Sequence, residues 1–383
     1  MANTLTGLIP TLYDAVDVVS RELVGFIPAV AKNAEANQAA VDQVIRVPVT
    51  PAVAADDVTP GVTAPNNGDQ TLGYVDMKVT KSRYVPIRWN GEEQLGFGRN
   101  GQLNVVLRDQ FAQAFRTLAN EMEADLAGLA IQASRAYGTG GTTPFASDLS
   151  DPANVLKILL DNGAPRGDLQ LVINTTAGAK LRTLAQLTKA NEAASDATLR
   201  RGVLLDLHGF MIRESAQVLN FTKGTGASAT TNAAGYAVGA TVITLASAGT
   251  GTIKAGDVIT FAGDTNKYVV ASGDTDVSNG GTITLAEPGL RQAIPTAATN
   301  ITVGNSYAGN LAFDRNALQL LARVPAMPIG GDMADDVTIV TDPVSGISFQ
   351  VAIYRQYRQV KFEIGAAWGV QNVAPRHSAI LLG

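Results

Sequence analysis

The sequence predicts an α+β fold, and three observations lead to it. An unbroken apolar repeat runs from Leu103 to Leu129, proline-punctuated extended segments precede it, and a Gly- and Thr-rich β block follows from about Thr222. At 383 residues the chain has room for two or three domains and a sizeable core. Apolar residues make up 46% and charged residues only 16%, against about 25% charged in an ordinary globular protein. Disordered chains carry the opposite bias, so a mainly disordered protein is excluded. No apolar run approaches the ~18 residues of a membrane-crossing helix, so no membrane partner is expected. The shortage of charge describes a protein that hides surface or tolerates a neutral one.

Residues 13–36 are predicted as an amphipathic helix with Val16, Val19, Leu23 and Phe26 on one face, kinked or divided at Pro28. This helix precedes any evident core, so its apolar stripe needs a partner. From Val47 to Asn90 the chain is punctuated by Pro48, Pro51, Pro60, Pro65 and the turn Asn66-Asn67-Gly68-Asp69. Residues 74–79 and 84–89 read as strands of a long two-stranded excursion, exposed at its tip. Leu103, Leu107, Phe111, Phe115, Leu118, Met122, Leu126 and Leu129 then recur at a mean spacing of about 3.7, as an α-helix requires. No Gly or Pro interrupts residues 102–127, and Gly138 closes the segment, which predicts a helix of roughly 50 Å.

Helices and strands alternate next. Asp151-Pro152 places an N-cap and an N1 proline before Val155, Leu156, Leu159 and Leu160, and Gly163 ends that helix. Residues 169–173 read as a strand, Asn174 starts a helix carrying Leu181, Leu184 and Leu187, and residues 205–212 read as strand with Gly209 at a turn or bulge. From about Thr222 to Ser306 short β runs recur at 241–245, 257–261, 267–270 and 282–285, separated by turns such as Ala262-Gly263-Asp264 and Asn279-Gly280-Gly281. They predict a small β-sheet or barrel inserted into a loop of a parent domain. Residues 310–313 resume the mixed pattern, a short helix is predicted over 316–321, and 347–364 and 379–382 read as strands.

The chemistry-bearing residues form no catalytic constellation. His208 and His377 are far apart in sequence, neither has a companion at ligand spacing, and the chain has no cysteine for a thiolate site or disulfide. Gly249-Thr250-Gly251 lacks the later glycine of a dinucleotide fingerprint, and no Gly-Lys-Ser/Thr follows a glycine loop. Asp274-Thr275-Asp276-Val277-Ser278-Asn279 begins like a calcium loop, but Asn279 replaces the turn glycine and Leu285 the bidentate glutamate, so a solvated turn is expected. Glu121, Glu123 and Asp125 cluster on the long helix; a solvent- or subunit-facing acidic patch is favoured over paired acid/base chemistry. The stretch from Tyr354 to Phe362 interleaves bases with aromatics, as single-strand binders do, and equally fits a strand with one buried face or two strands joined at a bend. With 29 basic and 34 acidic residues the net charge is -5, which gives no global field for nucleic acid. No catalytic, cofactor-binding or metal-ligating residue is assigned, and the chain is not expected to be an enzyme. No basic residue precedes Arg21, and Pro10 and Asp14 interrupt any leading apolar segment, so cytoplasmic synthesis without a secretory signal is expected.

Three stretches carry a resemblance. They are Leu207-His208-Gly209-Phe210-Met211-Ile212-Arg213-Glu214-Ser215, Gly309-Asn310-Leu311-Ala312-Phe313-Asp314-Arg315-Asn316-Ala317, and the segment from Gly346-Ile347-Ser348 through Trp368-Gly369-Val370-Gln371-Asn372-Val373-Ala374-Pro375. Together with the order of parts, they resemble the major capsid protein of tailed bacteriophages, the Hong Kong ninety-seven shell fold. The resemblance spans nearly the whole chain and is strongest to short-tailed-phage coat proteins with an inserted β-domain. Arg376-His377 departs from it, since relatives tend to carry an acidic residue after that proline.

The resemblance implies an N-terminal arm at 1–45, an extended loop at 46–95 and a peripheral domain with its spine helix at 96–149. It further implies an axial domain at 150–221 and 307–345, an inserted β-domain at 222–306, and returning peripheral strands at 346–383. It implies self-assembly through pentamers and hexamers into an icosahedral virion shell, built in the host cytoplasm on a scaffolding protein and maturing as DNA is packaged. A portal protein and enclosed double-stranded DNA, held without sequence-specific binding, would be its other partners. Two further classes remain open from the residues: a β-rich surface or tail-associated adhesin, suggested by 222–306, and an enzyme with an unrecognised site in 150–221.

Overall fold

Strand pairing divides the chain between a six-stranded sheet, a twelve-stranded sheet and a separate two-stranded ribbon. The computed structural model describes residues 9–20, 25–49, 55–58, 60–63, 68–69, 71–99, 103–184 and 206–383. The order begins α1 (Ile9–Ser20), α2 (Phe26–Ala29), β1 (Ala31–Ala39), β2 (Val44–Val49), β3 (Gly73–Lys78), β4 (Lys81–Asn90), α3 (Gly91–Arg99) and α4 (Leu103–Gly128). A 3-10 turn at Leu129–Gln132 leads to β5 (Arg135–Tyr137), α5 (Ser150–Asp161), β6 (Leu169–Ile173), α6 (Thr175–Arg182), β7 (Asp206–Leu207), β8 (Phe210–Glu214) and β9 (Asn220–Phe221). The Gly- and Thr-rich block supplies β10 (Val242–Leu245), β11 (Val258–Phe261), β12 (Lys267–Ser272), β13 (Gly281–Leu285) and β14 (Ile301–Val303). After it come β15 (Tyr307–Asp314), β16 (Leu318–Pro325), β17 (Asp336–Thr341), β18 (Ser348–Gln356), β19 (Gln359–Asn372) and β20 (Ser378–Leu382).

The six-stranded sheet is organised by β19. Its 14 residues pair β4 along one edge, and β18 followed by β16 along the other. β17 extends the sheet beyond β18, and β1 adds a parallel strand beyond β16. The stripe of α4 lies on this sheet: Phe111 meets Phe362 edge-on at 5.4 Å and Phe115 meets Phe349 at 5.0 Å. Leu118, Met122, Leu126 and Trp368 are buried in the same core. Each large apolar side chain buried this way contributes about 1.5–3 kcal/mol, so the helical repeat read in the sequence is the main attachment of helix to sheet.

The twelve-stranded sheet orders its strands β10-β13-β12-β5-β20-β15-β6-β8-β7, with β11 and β14 off β12 and β9 off β15. A second core under α5 and α6 collects Val155, Leu159, Leu171, Ile173, Leu181, Phe210 and Leu381. Asn174 caps α6, accepting from Ala177 N at 2.8 Å. Gly163 ends α5 with φ 79, a left-handed geometry that glycine adopts without the Cβ penalty. A third core lies within the β block, around Ile243, Ile259, Tyr268, Ile283 and Leu285.

Several expectations change. Among the described residues of the helix predicted over 13–36, 13–20 and 26–29 are helical, whereas 31–36 belong to β1, because Arg323 reaches from β16 to Asn33 O at 2.6 Å and Oδ1 at 2.8 Å, and edge pairing overrides helix propensity. The ribbon pairs β2 with β3, whereas β4, expected as its second strand, is incorporated in the six-stranded sheet through β19. The long helix ends at Gly128, about 39 Å from its start at 1.5 Å per residue. Beyond it Ala133 N bonds Ala130 O, and the chain turns into β5 to meet β20 and β12. Residues 318–321 are strand, since a run of Leu, Ala and Val buried on both faces suits β16; only Arg315–Ala317 makes a 3-10 turn. Asp151 does not cap α5 but accepts from Phe145 N at 2.6 Å. The β block has its own core yet continues the parent sheet through β12–β5, where Arg135 donates to Asn266 Oδ1 at 3.0 Å. Leu23, Leu187 and Leu205 lie outside the described residues.

Candidate functional site

The acidic cluster of α4 turns out to be a row of intramolecular clamps. Glu123 is buried and accepts from Phe26 N at 3.0 Å, Ile27 N at 2.7 Å and Ser215 Oγ at 3.0 Å. It therefore ties α2 and the residue after β8 to the spine, and satisfies two donors that a helix start leaves open. Gly25 is needed beside it, because a Cβ there would stand 2.4 Å from Glu123 Oε2. Two residues on, Asp125 receives Lys81 Nζ at 2.6 Å and Trp368 Nε1 at 2.8 Å, joining β4 and β19. Glu121 lies 3.5 Å from Arg83 Nε of β4. The expected solvent- or subunit-facing patch is thus three carboxylates facing three neighbouring elements of their own chain.

The first helix finds its partner within the same chain as well. Leu12, Ala15 and Val16 of α1 and Phe26 and Ile27 of α2 are buried in the core around α4. Arg315 donates to Pro28 O at 3.2 Å and pairs with Asp168 at 3.1 Å, and Lys32 donates to Ser345 O at 2.7 Å. Burial pushes the Lys32 ammonium below its ordinary range, with Asp342 opposing. Residues 26–39 are therefore integral to the fold.

The other residues singled out in the sequence serve turns and packing. His208 sits exposed in the β7–β8 turn at φ 52. His377 is in a 3-10 turn before β20, where burial, then Arg376, hold its pKa below 6.5, and Asp314 pulls the other way. Gly249-Thr250-Gly251 makes a turn bridged to Ala227. Asp274 accepts from Asp276 N at 2.8 Å, and Asp276 caps a 3-10 turn at Val277–Asn279. The basic-aromatic stretch is two strands joined at Tyr357-Arg358; Tyr354 donates to Asp332, and Lys361 lies 5.4 Å from the Tyr84 ring. Among the described residues, no three His, Asp or Glu side chains converge as metal ligands, and no helix is long and apolar enough to cross a membrane. Arg323, Arg135 and Asn310 escape sequence reading, since each is one polar residue in an apolar strand context and becomes a buried cross-link only through partners remote in sequence.

Large apolar side chains are also exposed in two loops. Beyond the β2–β3 ribbon, Val58 and Val62 are 97% and 106% exposed, and Leu72 and Tyr74 are also open to solvent. Ile329 and Met333 project from the loop before β17. Isolated exposed apolar groups are ordinary; here they stand on two loops of a chain with 16% charge.

No family model matches the chain, and no curated protein matches it in sequence. Among solved structures, one from Mycobacterium phage Che8 is 13% identical, with a TM-score of 0.45 over 94% of this chain and 90% of that one. The capsid structure of the cyanophage P-SCSP1u is 10% identical, at 0.48 over 94% and 88%. A virus-like particle from Pyrococcus furiosus is 9% identical, at 0.44 over 98% and 99%. All three scores lie below 0.5, so the functional reading rests on the chain's own residues and geometry.

Two outcomes follow from the clamps. Glu123→Ala leaves Phe26 and Ile27 N–H unpaired, at about 1–3 kcal/mol for each buried donor. Limited proteolysis should then cut within 9–30 while the β block stays protected; an unchanged digest contradicts the clamp. His377 has a lowered folded-state pKa, so its contribution to stability is present above 6.5 and lost as pH falls through the lowered value. His377→Gln should flatten the fall in melting temperature between pH 7 and pH 5; an identical fall in both proteins contradicts this.

Proposed function

We propose that the chain is the major capsid protein of a tailed phage, a subunit that assembles with copies of itself into an icosahedral shell around the genome. The observation that carries this reading is the loop that joins β2 to β3: the ribbon's base packs through Met77 and Val79 on Leu321 and Ala367, while Val58 and Val62 in the loop are almost wholly exposed among the described residues. A loop that buries such groups on a neighbour gains binding energy from apolar area, and repetition around closed symmetry builds a particle without a tight ligand site. The order of parts supports the reading: buried arm, exposed ribbon, spine helix, mixed sheet with a β insertion, returning β18–β19 hairpin. Two of the three stretches that carry the resemblance stand one strand apart, since β8 and β15 both pair with β6, and Asn310 accepts from Asn174 N at 2.7 Å there.

Low charge fits the same function, because interface cores are depleted of Lys, Glu and Asp. A net charge of -5 suits a container that encloses DNA without gripping it. Assembly on a scaffolding protein in the host cytoplasm, a portal vertex and maturation on packaging belong to this reading. The division into arm, loop, peripheral, axial and inserted segments does too. The β block, welded to the parent sheet through β12–β5, is poorly suited to act as a free-standing adhesin module.

The ribbon supplies the test. Replacing residues 50–72 with a short Gly-Ser turn leaves Val49 opposite Gly73 and so preserves the ribbon's last pair. Sedimentation should show large particles for the wild-type chain and folded subunits or small oligomers for the variant. Wild-type monomers, or large particles from the variant, would overturn the assignment.

A further inference from the structure

The six-stranded sheet has three open edges, and they are not equivalent. β4 carries Pro86 at mid-strand and Lys81, Arg83 and Arg88 along its length, and β1 carries Lys32, Glu35 and a register shift between Ala34 and Gln38. Such residues guard an edge against pairing with another chain. β17 reads Asp-Val-Thr-Ile-Val-Thr, with no proline, no basic residue and an unbroken register against β18 from Asp336↔Ile353 to Thr341↔Ser348. No other strand pairs with it among the described residues. Asp342 N donates to Ile347 O at 2.9 Å, so the alternation of an antiparallel ladder turns the N–H and C=O of Val337, Ile339 and Thr341 outward.

We propose that β17 pairs antiparallel with β17 of a second copy, joining two six-stranded sheets across a two-fold axis. This rests on the shell-forming reading and specifies one of its contacts. A two-fold normal to the sheet sets residues of the same face opposite one another, which leaves two compact registers. Centred on Ile339, the pair sets Asp336 against Asp342 of the second copy, like charge against like. Centred on Thr338, it sets Thr338 against Thr338, Val337 against Ile339, Asp336 against Val340 and Asp335 against Thr341, so no acid meets an acid. Threonine pairs and β-branched pairs are favourable cross-strand neighbours, and charge selects the Thr338 register. Six paired residues bury less than the ~1,200 Å² of a stable complex, so the contact adds to others in a closed assembly and does not hold free dimers.

The chain has no cysteine, so Thr338→Cys places a single thiol on the axis, where facing Cβ atoms come within disulfide reach. Oxidised oligomers of Thr338→Cys should run as covalent dimers, at least tenfold more than those of Ile339→Cys, whose thiols are offset along the strand. Ile339→Pro removes an outward N–H and no bond to β18, so the subunit should still melt cooperatively, within a few degrees of wild type, while the yield of large particles falls at least tenfold. Absence of Thr338→Cys dimers, equal crosslinking of both cysteine variants, or full particle yield from Ile339→Pro overturns the β17 pairing. Particle formation by the wild-type chain is recorded separately: its absence overturns the functional reading, and particles without the crosslink overturn this contact alone.

Discussion

The packing of α4 on β19 is the constraint on which the rest of the molecule depends. β19 is long enough to hold β4, β18 and β16 at once, and α4 is long enough to cover them. Its apolar stripe supplies non-directional attraction. The side chains of Glu121, Glu123 and Asp125 add direction, fixing where β4, β19 and α2 sit along the helix. Burying Glu123 is tolerable because two backbone N–H groups and a hydroxyl replace its water; any of them removed leaves a costly unpaired group.

This division of labour explains why polar side chains in the interior mark joints. Arg323 fastens β1 to β16, Arg315 fastens Pro28 to Asp168 ahead of β6, and Arg135 of β5 fastens Asn266 of the β block. Each joins segments far apart in sequence. The chain is thereby a cross-braced frame, and its most exposed apolar side chains include Val58 and Val62 in the β2–β3 loop and Ile329 and Met333 in the loop before β17. A braced frame with exposed apolar loops is what the proposed self-assembly requires.

What could be read in the sequence followed from local periodicity. The α4 repeat, the Asn174 cap, the Gly163 terminus and the β runs of the insertion depend on near neighbours, and they lie where their spacing predicts. What could not be read depended on pairing at a distance. Residues 31–39 have a helical composition, but the edge of β16 recruits them; residues 318–321 have an ambiguous apolar run that β19 resolves as strand. Likewise Glu123, Asp125 and Arg323 are surface-like residue types, and nothing near them in sequence announces their partners. The candidate contact surface was partly legible, since Pro48, Pro60 and the turn glycine mark an excursion. Which strands form its ribbon was settled by β19 claiming β4.

On the proposed function, a folded copy of this chain is complete as a frame and incomplete as an assembly. Electron microscopy of the purified chain tests it most directly. Closed, hollow shells of uniform curvature are the expected result; a monodisperse monomer at every concentration that permits imaging overturns the self-assembly.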